Sequence, residues 1–351
     1  MQYTGGTTGL PKAAELTHDN IVANTAQVRA WLHELRETEE RMLMVLPLFH
    51  VYALTCCNLI MDLAGPAILI PRFDLADVLK TIEREKPTIF PGIPAMYAAI
   101  NHSLERGSRN GGADLSSIRL CFSGADRLPR EVQADFERLS GGRVIEGYGL
   151  TEASPVTHVN PMHGPRKDGS IGLPVPNTDI RIIDLETGDD VKPGNEGEML
   201  VRGPQVMKGY WNEPQETCAA ISPDGWLHTG DIARADEDGF YFIVDRKKDI
   251  IIIGGINVYP SDVEEVLAQF SKVKEVAVKG IPHKLRGEAV KAYVVLKDNE
   301  QATASEIRKF AKGKMAEYKV PQKIEFMDEL PRSILRKVLK RKLENGKDEE
   351  I

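Results

Sequence analysis

The sequence places three glycines and three threonines ahead of a lysine in "YTGGTTGLPK", Tyr3 to Lys12. Glycines let successive backbone N–H groups turn inward, threonine hydroxyls add donors, and a lysine adds positive charge. Together these are the ingredients of a phosphate cradle, with Thr4, Gly5, Gly6, Thr7, Thr8, Gly9 and Lys12 as its candidate members. It is not a Walker A loop, because Lys12 follows Pro11 and no serine or threonine comes after it. G-x-G-x-x-G does not fit either. Taken alone, the stretch reads equally as an ordinary Gly/Thr turn.

Two other stretches carry complementary chemistry. "EGYGLTE", Glu146 to Glu152, sets an aromatic ring, a hydroxyl and a carboxylate in one loop after an apolar run. Tyr148 can stack on a base, Thr151 can bond a phosphate, and Glu152 can hold Mg2+. "WLHTGD", Trp226 to Asp231, ends in a carboxylate suited to the two hydroxyls of a ribose. Each of these is, by itself, also a tight turn.

The elements that must position these residues follow from periodicity. Thr17 caps a predicted helix with Ile21, Val22, Thr25, Val28, Leu32 and Leu35 on one face. "MLMVLPLFH" reads as a buried strand, residues 51–63 as a helix, and "AILI" as a short core strand. "LADVLKTIEREK" and "PREVQADFERLS" read as helices, and "PTIFPGIP", "IRLCFSG" and "RVIEGYG" as strands. Helices alternating with short apolar strands imply a mainly parallel, doubly wound α/β sheet. After about Gly169 a Gly-, Pro- and Asp-rich texture predicts a small antiparallel β unit. "VDRKKD", Val244 to Asp249, is a charged linker before a compact α+β region whose two helices start near Ser261 and Thr303.

Bulk composition narrows the class. With 351 residues, 42% of them hydrophobic and 28% charged, the chain is a globular protein of two or three domains. A net charge of −7 gives no nucleic-acid footprint. Lys and Arg cluster in "LRKVLKRKLENGKDEE", which reads as a solvated surface helix because acidic residues follow at once. Cys56, Cys57, Cys121 and Cys218 have no metal or redox spacing and fit reduced thiols in a cytoplasmic compartment. "VYALTCCNLIMDLAGPAILI" has spanning length, but Asn58, Asp62 and Gly65-Pro66 argue for a buried helix and then a strand.

Set in order, "YTGGTTGLPK", "LPLFHVYAL", "SGAD", "EGYGLTE", "GWLHTGDIA", "VDRKKDIIIIGGINVYPSDVEE" and "LPRSILRKVLKR" resemble the adenylate-forming superfamily of acyl-CoA synthetases, adenylation domains and luciferases. The resemblance runs from Tyr3 to about Leu343. It is greatest, in "QYTGGTTG", "GSIGLPVPNT", "GPQVMKGYWNEP" and "DRKKDIIIIGGINVYP", to bacterial long-chain fatty-acid–CoA ligases. It implies that ATP and a fatty acid give acyl-AMP and pyrophosphate, and that the CoA thiol then displaces AMP. The implied cofactors and substrates are ATP, Mg2+, CoA and a fatty acid.

By the same resemblance, the Thr4–Lys12 loop holds the β- and γ-phosphates. Ser123, Gly124, Ala125, Gly147, Tyr148 and Gly149 surround the adenine, Thr151 bonds the α-phosphate, Glu152 binds Mg2+, and Asp231 with Arg246 takes the ribose. Lys337 stands at the acid-activating position. Here "PRSILRK" departs from the usual Pro-Lys-Thr-x-x-Gly-Lys, with Arg332, Ser333 and Arg336 in place of Lys, Thr and Gly. Without the family match Lys337 reads as one more solvated lysine. Lys248 falls on the hinge, residues 245–248. Gly254 and Gly255 would line the pantetheine tunnel, and His50 its junction with the acyl channel. Val51 stands where amino-acid-activating relatives carry an Asp, so that together with Gly92 and its apolar neighbours it suits a hydrocarbon tail.

The implied organisation is a partial large AMP-binding domain over residues 1–245, its α/β sheet part at 1–169 and its β-rich part at 170–245, then a small mobile α+β domain at 246–351. Relatives carry a further domain's worth of residues before the phosphate loop. The sequence therefore reads as the C-terminal two-thirds of a ligase, whose front portion a second chain would supply if the enzyme is split. Medium-chain or aryl acids are the near alternative substrates, and a non-catalytic nucleotide- or acyl-binding module is the alternative of another class. Peripheral attachment to the inner face of a membrane is compatible with the resemblance, although no basic amphipathic helix with a broad apolar face is evident.

Overall fold

The computed structural model describes residues 1–4, 11–107, 113–332 and 338–343. The chain opens with a hairpin of β1 (Gln2–Tyr3) and β2 (Ala13–Glu15), whose strands pair antiparallel. Helix α1 (His18–Trp31) follows, capped as expected: Thr17 Oγ1 accepts from Asn20 N–H, and Asn20 Oδ1 accepts from Thr17 N–H. Thr25 and Val28 of the expected face are buried, but that face is not the whole of the buried side. Val22 is 65% exposed, while Asn24 and Gln27 are buried. The reason is polar: Asn24 exchanges hydrogen bonds of 2.8 and 3.0 Å with the backbone of Val156, and Gln27 donates to Pro176 O and Gln205 Oε1. Leu32 and Leu35 are buried beyond the end of the helix.

A Rossmann-like alternation follows: β3 (Met42–Met44), α2 (Val51–Asp62), β4 (Ala67–Leu69), α3 (Leu75–Glu85), β5 (Ile89–Gly92), α4 (Pro94–Gly107), β6 (Leu120–Ser123), α5 (Arg130–Ser140) and β7 (Arg143–Gly149). Then come β8 (Val156–Val159), β9 (Leu173–Pro174), β10 (Asp179–Ile183), β11 (Glu196–Arg202), β12 (Gly209–Tyr210), α6 (Pro214–Ala220), β13 (Leu227–Ala235) and β14 (Tyr241–Arg246). The large sheet has the order β4-β3-β5-β6-β7-β8-β9, parallel through β7 and antiparallel thereafter. β9, beyond the texture change at Gly169, thus belongs to this sheet. The smaller sheets are β1-β2-β12 and β10-β11-β13-β14.

The core lies against the parallel strands, where Tyr97 stacks edge-on with Phe90 and Phe136 at 5.5 and 4.9 Å, all fully buried. "AILI" is a sheet edge rather than the expected core strand, with Leu69 59% exposed. An edge strand has a neighbour on one side only.

The C-terminal region contains β15 (Ile251–Ile253), β16 (Ile256–Val258), α7 (Pro260–Ala268), β17 (Val273–His283), β18 (Gly287–Leu296), α8 (Ala304–Lys312) and β19 (Lys323–Phe326). They form a five-stranded sheet, β16-β15-β18-β17, with β19 parallel to β18. Ile251, Val258, Val263, Leu267, Val290 and Ile307 fill its core. The basic cluster shows one 3₁₀ turn, Lys340–Lys342, among the described residues rather than the expected surface helix. Lys340 pairs with Glu264 at 2.8 Å, and Leu343 is buried. Contacts divide the described residues into two compact units, 1–4, 11–107, 113–229 and 234–243 in one, and 230–233, 244–332 and 338–343 in the other. Among the described residues no helix is long and apolar enough to cross a membrane.

Candidate functional site

In an open parallel sheet, ligands bind beyond the carboxyl ends of the strands. Here β5 and β6 end level, Gly92 pairing with Ser123, and Ser123 pairs in turn with Glu146 of β7, which runs on to Gly149. Two tyrosines brace these ends. The Tyr52 hydroxyl donates to Phe122 O at 2.8 Å, and the Tyr97 hydroxyl donates to the same carbonyl at 2.8 Å. Both approaches are close. A Cβ on Gly92 would meet the Tyr97 hydroxyl at 3.0 Å, and one on Gly124 would meet the Tyr52 ring at 3.2 Å. The Ser123 side chain is buried, and its Oγ has no hydrogen-bond partner among the described residues. Ala125 holds φ 71, a left-handed turn that carries the chain away from the strand.

Strand β7 closes with Gly147, Tyr148 and Gly149, which pair with β8, and Thr151 and Glu152 follow just beyond its end. Gly149 is obligatory on steric grounds, since a Cβ there would lie 2.0 Å from Pro155 O, the carbonyl that accepts from Leu150 N–H at 3.0 Å. Thr151–Ala153 then form a 3₁₀ turn. Half-buried Tyr148 packs edge-on against His158 at 5.9 Å. His158 is fully buried and shares a 2.9 Å hydrogen bond with Thr157 Oγ1; burial pushes its pKa down to about 3, so the ring is neutral.

Glu146 is a site residue that the motif reading passed over. Burial pushes its carboxyl up to about 7, against the Leu128 N–H and the Arg127 guanidinium, which favour the anion. It lines a cavity of about 240 Å³ with Gln133, Asn160 and Ser170. A carboxyl titrating near neutrality beside a cavity is a functional-site signal that only burial reveals.

At the opening hairpin, Thr4 N–H donates to Lys12 O at 2.8 Å, closing the base of the glycine-rich loop. Gly5, Gly6, Thr7, Thr8 and Gly9 lie outside the described residues. Lys12 forms an ion pair with Glu216 and sits 4.9 Å above the Tyr210 ring. The Tyr210 hydroxyl donates to Glu152 Oε1 at 2.7 Å. Among the described residues no group of three or more His, Cys, Asp or Glu gathers to hold a metal. Glu152 offers a carboxylate beside Tyr210. That fits Mg2+, which is usually held by one or two carboxylates together with substrate phosphates.

His50 is the N-cap of α2: its Nδ1 accepts from Tyr52 N–H at 3.2 Å, so the neutral ring carries its proton on Nε2. Val51, the first residue of that helix, is buried.

In the second unit, Arg246 Nε lies 3.0 Å from Oδ1 of buried Asp231. Lys248 sits in the 3₁₀ turn Lys247–Asp249, its ammonium held below the usual range by desolvation and by Arg246. Gly254 and Gly255 are the two-residue turn of the β15–β16 hairpin, with φ 59 and 84. Two positive φ values in a two-residue hairpin loop mark a type I′ turn. Arg332 pairs with Glu275 at 2.6 Å. Ser333, Arg336 and Lys337 lie outside the described residues.

The family model of AMP-binding enzymes matches residues 1–211, and that of the AMP-binding enzyme C-terminal domain matches residues 262–337. A long-chain-fatty-acid–CoA ligase of Bacillus subtilis (strain 168) is 50% identical over 98% of this chain, which spans 60% of that relative's length. A feruloyl-CoA synthase of an Amycolatopsis species is 40% identical over 97% of the chain and 68% of its own. Among solved structures, ATP-bound MatB from Rhodopseudomonas palustris superimposes with a TM-score of 0.88 at 32% identity, over 97% of this chain and 66% of that one. The o-succinylbenzoate–CoA synthetase MenE from Bacillus subtilis, in complex with ATP and a magnesium ion, superimposes at 0.84 with 33% identity, over 98% and 69%.

Proposed function

The chain belongs to the family of AMP-binding enzymes, and on that premise we propose that it serves an ATP-dependent long-chain fatty-acid–CoA ligase. The observation that carries the reading is the alignment of Gly92 and Ser123, the last residues of β5 and β6, with Glu146 of β7, whose closing residues Gly147–Gly149 lead into the Thr151–Ala153 turn. That edge and the segment after it carry a buried hydroxyl, an aromatic ring, a threonine and a carboxylate, the groups this reading assigns to nucleotide and metal.

In the first half-reaction a fatty carboxylate oxygen attacks the α-phosphorus of ATP, and the bond to the β-phosphate breaks, releasing pyrophosphate. Lys12 and the glycine-rich loop hold the leaving phosphates, and Thr151 bonds the α-phosphate. Charge spreads over the phosphoryl oxygens in such a step, so catalysis is mainly positioning and electrostatics. Glu152 would hold Mg2+, which when bound would neutralise charge on the phosphates. Asp231, oriented by Arg246, accepts from the ribose hydroxyls, and Lys337 stabilises the attacking carboxylate. In the second half-reaction the CoA thiol loses its proton to solvent and attacks the acyl carbonyl, and AMP leaves. Lys248 lies at the hinge between the two steps, where a charged turn with few apolar contacts resists rotation little.

The alternative substrate class, an aryl acid, is favoured by the likeness to a feruloyl-CoA synthase. ATP–pyrophosphate exchange over saturated acids from acetate to stearate, with ferulate and benzoate alongside, separates the two. Exchange greatest with palmitate or oleate is the expected outcome. Exchange with ferulate alone replaces the long-chain reading, and none with any acid overturns the ligase reading. Lys337→Ala is expected to depress exchange far more than thioester formation from supplied acyl-AMP.

A further inference from the structure

Two of the groups assigned above to phosphate and metal, Lys12 and Glu152, are joined through a residue that carries no assigned role. Tyr210 presents its ring to the Lys12 ammonium at 4.9 Å and its hydroxyl to Glu152 Oε1 at 2.7 Å. It is held firmly for this. Its N–H donates to Thr217 Oγ1 at 2.9 Å, and Tyr210 pairs with Ala14 where β12 lies against β2. One residue earlier, a Cβ on Gly209 would meet the Thr217 side chain at 2.7 Å, so strand and helix α6 are in close contact. The same α6 carries Glu216, the ion-pair partner of Lys12. At neutral pH a tyrosine phenol is protonated, so it serves as the donor to Glu152. On the other side, Met207 N–H donates to the Glu152 carbonyl at 2.7 Å, fixing the backbone of the carboxylate residue to the strand that leads into Tyr210.

We propose that Tyr210 is a positioning residue that couples Lys12 to Glu152, and that Glu216 is the exchangeable counter-ion of Lys12. The inference rests on the nucleotide and metal roles proposed above. A carboxylate with one oxygen held by a phenol offers the other in a fixed direction, as a lone carboxylate ligand to a metal must. The face of an aromatic ring attracts an ammonium without neutralising it, so Tyr210 keeps Lys12 in place while leaving its charge for an anion. Glu216 and Lys12 have side chains 48% and 36% exposed, so their pair is screened by solvent and weakly held. A polyphosphate carries more charge than one carboxylate and displaces it.

The test uses the full chain and titration calorimetry of ATP, from metal-free buffer to saturating Mg2+. Tyr210→Phe keeps the ring and removes the hydroxyl. It is expected to raise the Mg2+ concentration needed for half-maximal ATP binding by about tenfold, the scale of lost outer partners of a metal ligand. Its metal-free ATP affinity stays within about twofold of wild type, because the ring remains over Lys12. Glu216→Gln is expected to strengthen metal-free ATP binding by about threefold, the worth of one exposed ion pair. A wild-type Mg2+ midpoint in Tyr210→Phe overturns the coupling, and unchanged or weaker metal-free binding in Glu216→Gln overturns the counter-ion. If wild type itself shows no saturable ATP binding, the nucleotide reading fails and the inference with it. Failure in the variants alone leaves the nucleotide reading standing.

Discussion

Two glycine-bearing turns of this chain look alike in sequence and are unlike in physics. In "EGYGLTE" the glycine at 149 is needed because of what surrounds it: a Cβ would press to 2.0 Å of the Pro155 carbonyl. In "IIIIGGINV" both glycines are needed because of the backbone itself. Gly254 and Gly255 have φ 59 and 84, and no atom lies within 4 Å of where their Cβ atoms would be. The first turn is crowded and sits beside two titratable side chains, half-buried Glu146 and buried His158. The second is an open hairpin tip. A glycine pair is therefore weak evidence for a ligand until its reason is known. In the hairpin the turn alone accounts for both residues.

Breaking the contrast is easiest at its crowded end. Gly149→Ala is expected to lose about 3 kcal/mol by overpacking against backbone that cannot swing aside, read as a lower denaturation midpoint at unchanged m-value. A loss below about 0.5 kcal/mol, the size of an ordinary surface change, shows the loop to be slack.

A smaller effect sharpens the same region. The Glu146 carboxyl titrates near 7 in the folded protein against 4.5 ordinarily. The folded state therefore binds this proton more tightly, and wild type loses stability as pH rises from 4.5 to 7. Glu146→Gln removes that titration. It is expected to gain about 2 kcal/mol over wild type at pH 8, allowing for residual screening, and nothing at pH 4. A gain that does not vary with pH refutes the raised carboxyl. His158 acts in the opposite sense: its folded pKa is depressed to about 3 from 6.5, so its contribution is lost as pH falls below 6.5. His158→Gln is expected to flatten the acid limb of a stability–pH profile.

The open hairpin should respond least, and by identity rather than size. Gly254→Ala is expected to cost about 1 kcal/mol for a left-handed alanine. Gly254→Asn should cost no more than a few tenths of a kcal/mol, because Asn-Gly is a favoured type I′ pair. Both variants are expected to retain acid-dependent pyrophosphate exchange. Equal costs for alanine and asparagine point to crowding after all.

Much of the fold was legible locally. Thr17 announced its helix, and the capping box with Asn20 formed from residues three apart. The short apolar runs at Ile89, Leu120 and Arg143 became neighbouring parallel strands, since runs buried on both faces belong in a covered sheet. The buried side of α1 was legible only in part: Thr25 and Val28 followed the period, but Asn24 and Gln27 are buried for partners at Val156 and Pro176, far along the chain. Tyr52 and Tyr97, whose hydroxyls converge on one carbonyl from two helices, were not legible.

The order of motifs and the alternation of elements were written in the chain itself, because capping, turn chemistry and periodicity act between residues a few positions apart. Which of those residues meet, that Glu146 titrates near neutrality, and that Tyr210 stands between Lys12 and Glu152 were decided by tertiary structure alone. Burial and contact depend on separations in space that a linear spacing does not encode.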